Sequence, residues 1–133
     1  MTDVFSGKYK LSKSTNFDEF LTELGKSTRQ LVKSASPELQ ITRNGDGWHV
    51  ETKAGVGHSE FTFTLGEEFE EVRQDDVKVR SLVVQDGNKW TQTQTPVDGV
   101  KIVTIVREFG GSEMITTATV GDVTSTRIFD RVD

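Results

Sequence analysis

Five clusters of Gly, Asn and Asp punctuate this chain and leave little room for long helices. They are Asn44-Gly45-Asp46-Gly47, Asp86-Gly87-Asn88, Asp98-Gly99, Gly110-Gly111 and Gly121-Asp122. Gly, Asn and Asp tolerate positive φ, so each cluster carries hairpin chemistry. The segments between them are short and rich in Val, Ile, Thr and Phe, as in Glu60-Phe61-Thr62-Phe63-Thr64-Leu65 and Ile115-Thr116-Thr117-Ala118-Thr119-Val120. Short strands at regular spacing predict an all-β antiparallel sandwich or barrel. Alternation is loose, so several inward positions are polar. That suits a barrel around a partly hydrated ligand cavity better than a dry sandwich.

One region departs from this pattern. Phe17, Phe20, Leu21 and Leu24 recur at i, i+3, i+4 and i+7, one face of a helix. Asn16 is placed to cap it, with Glu19 three residues on as its partner, and Gly25 marks its end. Ser27-Thr28-Arg29-Gln30 opens a second helix that Pro37 closes. The expected order is one strand, a short helix pair, then roughly nine strands, with the helix pair covering an open barrel end.

Composition narrows the function. The 133 residues favour a single domain, 1–133, with one core. There is no cysteine, so neither a disulfide framework nor a cysteine-based metal site is available. A net charge of −5 argues against nucleic acid as a partner. The N-terminus lacks the pattern of a secretory signal, and no apolar stretch is long enough to span a bilayer, so a cytoplasmic protein is expected. The acidic run Glu67-Glu68-Phe69-Glu70-Glu71 reads as a solvated strand face and turn, since a metal site needs more converging ligands. Catalysis has little to work with. The two histidines, His49 and His58, sit near no nucleophile elbow or phosphate loop. Ser59 follows His58, but neighbours on a strand point to opposite faces.

Two late arginines stand out, Arg107 after Ile102-Val103-Thr104-Ile105-Val106 and Arg127 before Ile128-Phe129. Two cations in apolar, β-rich segments of a barrel suggest a buried pair suited to an anion. Trp90 begins an alternation that sets Trp90, Gln92 and Gln94 on one face. That face is either a mixed cavity wall or, at Trp90, packing at the barrel end.

The whole chain resembles the intracellular lipid-binding proteins, the fatty-acid-binding and cellular retinoid-binding family. The resemblance is carried by Gly7-Lys8-Tyr9-Lys10-Leu11, Asn16-Phe17-Asp18-Glu19-Phe20-Leu21, Leu65-Gly66-Glu67-Glu68-Phe69-Glu70-Glu71, Asp75-Asp76, Val106-Arg107-Glu108 and Thr126-Arg127-Ile128-Phe129, in order. It implies a ten-stranded antiparallel up-and-down clam barrel capped by a short helix-turn-helix. It also implies a monomeric carrier, without cofactor or metal and not an enzyme, that binds a long-chain fatty acid or similar hydrophobic carboxylate.

The resemblance assigns the ligand carboxylate to Arg107 and Arg127. Many members add a tyrosine two residues after the second arginine, where this chain has Phe129. Arg107, directly or through water, is then expected to take more of the load. Phe17, Phe20, Val56, Asp75, Trp90 and Phe129 are the expected pocket or portal residues. Val56 replaces a phenylalanine common in relatives, which implies a wider gate. The helix pair, with Arg29 and Lys33 on one face, implies at most transient membrane contact. Val79-Arg80-Ser81-Leu82 and Thr91-Gln92-Thr93 resemble the retinoic-acid branch, a second ligand class with a carboxylate. Retinol carriers have glutamine where Arg107 stands. An interaction domain without ligand is the alternative of a different class.

Overall fold

The computed structural model describes residues 5–24, 38–54, 57–72, 77–97 and 101–132. The strands are β1 (Gly7–Thr15), β2 (Glu38–Asn44), β3 (Gly47–Ala54), β4 (Gly57–Phe63), β5 (Phe69–Val72), β6 (Lys78–Asp86), β7 (Lys89–Pro96), β8 (Val103–Phe109), β9 (Glu113–Val120) and β10 (Val123–Arg131). One helix, α1 (Phe17–Leu24), follows β1. The second helix expected from Ser27 to Pro37 lies outside the described residues, as do Arg29, Lys33, Val56 and Asp75.

The strands form a single ten-stranded antiparallel sheet in the order β4-β3-β2-β1-β10-β9-β8-β7-β6-β5. Consecutive strands are neighbours except β4 and β5, which stand at the two ends of the order, and the β1–β10 pairing brings the chain's two halves together. This is the up-and-down clam barrel. Its turns follow the sequence punctuation. Asn44 pairs with Gly47, and Asp86 with Lys89, so two residues make each loop. Gly45 (φ 61°) and Gly87 (φ 63°) take the first loop position, where an L side chain is strained.

β4 and β5 end the sheet order without a hydrogen-bonded partner beyond them. Side chains close that seam. Phe69 of β5 stacks on Phe61 and Phe63 of β4, with ring centroids 5.8 and 5.9 Å apart. Offset stacking of this kind adds to the burial of three large apolar rings.

The two ends of the barrel are filled differently. At the end formed by the start of β7 and the close of β8, Trp90 lies against Phe5, Trp48, Phe63 and Phe109. Its ring centroids are 4.9, 5.1, 5.3 and 5.0 Å from theirs. Tyr9 joins this plug, and its hydroxyl donates to the Phe5 carbonyl at 3.0 Å. At the opposite end, Phe20 of α1 is buried with Val103 and Val120, flanked by Phe17, Ile105, Ala118 and Val123. Among the described residues, Phe17 and Phe20 of the helix's periodic face pack over this end of the barrel.

Asn16 makes the turn from β1 into α1 in a way its sequence only partly announces. Its carbonyl accepts the first helical bond from the Phe20 amide at 3.0 Å, so it stands at the capping position. Its φ is 63°, a left-handed value that asparagine tolerates better than most residues. The side-chain amide donates across to the Thr124 carbonyl at 3.4 Å, tying the cap to β10, where a bond within a capping box was expected.

Candidate ligand-binding site

Between the aromatic plug and α1 lies a cavity of about 660 Å³. That is within the range of roughly 300–1,000 Å³ usual for small-molecule sites. Its wall is apolar at Phe17, Phe20, Leu39, Phe61, Phe69, Val103, Ile105, Ala118 and Phe129. Polar groups converge on one part of it: Glu71, Gln92, Gln94, Arg107, Thr116, Ser125 and Arg127. Glu60 and Glu70, also on the lining, are exposed to solvent.

Strand register explains how the arginines meet. Thr116 of β9 is opposite Arg107 of β8 on one side and opposite Arg127 of β10 on the other. The three form one row across three strands, and residues directly opposite hold their Cβ atoms roughly 4.5–5.5 Å apart. Burial lowers the pKa of Arg107 to about 10, partly offset by the attraction of Glu71. Burial alone lowers that of Arg127 to about 10. Both remain cations at neutral pH.

Their surroundings differ. Arg107 is held in a polar network. Its Nη1 donates to Gln92 Oε1 at 2.8 Å, and Gln92 Nε2 donates to Glu71 Oε2 at 2.6 Å. Gln94 Nε2 donates to the same carboxylate oxygen at 3.0 Å, and so does the Ser81 hydroxyl. Arg127 stands apart from this network. Its guanidinium carbon lies 3.9 Å above the Phe17 ring and 5.8 Å from that of Phe129, both cation–π contacts. Its Nε is buried without a hydrogen-bond partner.

Of the residues singled out from sequence, Arg107, Arg127, Phe17, Phe20 and Phe129 come together on this cavity. Trp90 does not line it and belongs to the plug, while Gln92 and Gln94 on the same strand face do line it. The sequence pattern places Glu71 on a solvated acidic face. Glu67, Glu68 and Glu70 are exposed, but Glu71 turns inward as the acceptor of three hydrogen bonds. The signal was present in parity, because Glu71 shares a strand face with Phe69. Thr116 and Ser125 were not singled out, since single hydroxyls in Thr-rich strands carry no distinguishing mark.

Known proteins match this chain in sequence and in fold. Residues 6–132 match the lipocalin / cytosolic fatty-acid binding protein family. The chain belongs to this family. It is 49% identical to a fatty acid-binding protein of Tyrophagus putrescentiae over 129 residues, covering 95% of this chain and 96% of that one. It is 42% identical to the 14 kDa fatty acid-binding protein of Schistosoma mansoni over 130 residues, covering 96% and 97% of the two chains. Among solved structures, the Schistosoma mansoni fatty acid binding protein in complex with arachidonic acid superposes with a TM-score of 0.91. It is 41% identical, over 98% of each chain. Members of the fatty-acid-binding protein family are carriers without enzymatic activity. Among the described residues, no helix is long and apolar enough to cross a membrane.

Proposed function

We propose that this fatty-acid-binding protein family member carries a long-chain fatty acid through the cytoplasm as a monomer. The acyl chain would lie along the apolar wall, with its carboxylate at the end where Arg107 and Arg127 stand. The observation that carries the reading is that both arginines line one mainly apolar cavity, in a single row with Thr116 between them. Burying the chain gains roughly 25 cal/mol per Å² of apolar surface removed from water. Burying the carboxylate is costly unless it is paired and hydrogen-bonded, which a buried guanidinium provides. The arachidonic-acid complex of the Schistosoma mansoni relative supports this ligand class. The helix end of the barrel is the proposed place of transient membrane contact.

Native mass spectrometry of protein purified from cells is expected to show a fatty acid that delipidation removes. The emptied protein is expected to bind added oleate. Protein that arrives empty and ignores oleate would point to an interaction domain without ligand. Displacement of oleate by a lower concentration of retinoic acid would move the assignment to the retinoid class.

Phe129→Tyr tests the altered head-group position. Phe129 is buried and lies beside Arg127, so the added hydroxyl is placed near the guanidinium. Oleate binding is expected to stay equal or tighten by up to about tenfold, or ~1.4 kcal/mol. Weaker binding in a titration would mean that the Phe129 ring packs against the ligand in a way tyrosine disturbs.

A further inference from the structure

Three buried polar atoms on the cavity wall have no hydrogen-bond partner among the described residues: Thr116 Oγ1, Ser125 Oγ and Arg127 Nε. They are neighbours in the sheet. Thr116 is directly opposite Arg127, and Ser125 is two residues before it on the same face of β10. Ser125 is itself opposite Ala118, whose small side chain offers it no polar partner. A buried donor left unpaired costs about 1–3 kcal/mol, so three in one place mark a site for an outside acceptor. A threonine hydroxyl, a serine hydroxyl and a guanidinium are all donors, and only Arg127 among them is charged. Each hydroxyl can also accept, but the fixed charge of Arg127 favours an anion, and a carboxylate offers two oxygens to these three donors.

Arg107 is arranged otherwise. It is joined through Gln92 to Glu71, whose carboxylate also accepts from Gln94 and Ser81. Two guanidinium cations thus face one resident carboxylate, which leaves one cation uncompensated in this part of the cavity.

Resting on the fatty-acid reading above, we propose that the hydroxyls of Thr116 and Ser125 complete the carboxylate site around Arg127. They supply the neutral donors that Phe129 lacks, while Glu71 serves as the built-in counterion of Arg107. The chain then takes one monocarboxylate. This division differs from the one the missing tyrosine suggested, which gave Arg107 the larger share.

The test compares oleate with oleyl alcohol, which has the same chain and a neutral head, in the delipidated full chain. Thr116→Val and Ser125→Ala are each expected to weaken oleate about three- to tenfold, the loss of one hydroxyl donor. Oleyl alcohol should change less than threefold, which also shows that the cavity is intact. Arg127→Gln should weaken oleate more than Arg107→Gln does. Glu71→Gln, which frees Arg107, should leave oleate binding equal or tighter. The inference is overturned if Thr116→Val and Ser125→Ala both bind oleate as the unchanged protein does. It is equally overturned if Arg107→Gln causes the larger loss or Glu71→Gln weakens oleate. If the unchanged protein binds neither probe, the carrier reading itself fails and takes this inference with it.

Discussion

Trp90→Ala is expected to destabilise the protein by about 3–5 kcal/mol, the usual cost of deleting a large buried aromatic side chain. Trp90 is almost wholly buried and meets four other aromatic rings, each within 5.3 Å between centroids. Phe5, Trp48, Phe63 and Phe109 come from four separate parts of the chain, so they cannot all close on the space together. Trp90 is the ring that all four of them meet, so its loss leaves a cavity at the centre of the plug. In chemical denaturation the midpoint should fall with the slope unchanged, and the melting temperature should drop by roughly 10–20 °C. Trp90 does not line the cavity. At a temperature where the variant is still folded, oleate affinity should therefore stay within about threefold. A loss below 1 kcal/mol would show that the plug is loosely packed. A large loss of affinity in folded protein would place Trp90 on the ligand wall after all.

The contrast between Trp90 and its strand neighbours shows what alternation can and cannot tell. Parity alone put Trp90, Gln92 and Gln94 on one face, and all three are buried. Depth along the barrel is a different coordinate. It depends on where β7 starts relative to β6 and β8, which is a matter of register between strands rather than pattern within one. Turn chemistry made the strands legible, and the Phe periodicity of α1 showed the helix, because both signals are local. Arg107 and Arg127 were legible as cations in apolar strands and by resemblance. Their shared row was not, because it runs through Thr116 on a third strand. Glu71 was hidden among acidic neighbours that do face solvent, and only its donors, drawn from β6 and β7, reveal its role. The Phe61, Phe63 and Phe69 seam was likewise invisible, since it joins strands that share no hydrogen-bonded ladder.

Arg107→Gln combined with Arg127→Gln is expected to abolish the preference of the cavity for an acid. Oleate should bind about 100-fold more weakly or worse, a loss of about 3 kcal/mol, while oleyl alcohol stays within about threefold. Removing one partner of a buried charged pair commonly costs about 2–5 kcal/mol, so the figure sits inside the expected range. Glutamine is chosen because it keeps amide donors and polar bulk in the cavity while deleting the charge. Folding should survive. Glu71 loses the attraction of Arg107 but keeps its donors on Ser81, Gln92 and Gln94. Arg127 has no anion to strand, and its removal relieves a buried, unpaired Nε. Stability should therefore change far less than affinity, and the two readouts separate a lost site from a lost fold. Oleate binding retained within fivefold in the double variant would mean that the carboxylate lies elsewhere, toward the solvent-exposed side of the cavity. The alcohol would then bind no better relative to oleate than before, because the charge at the deep end would never have met the head group.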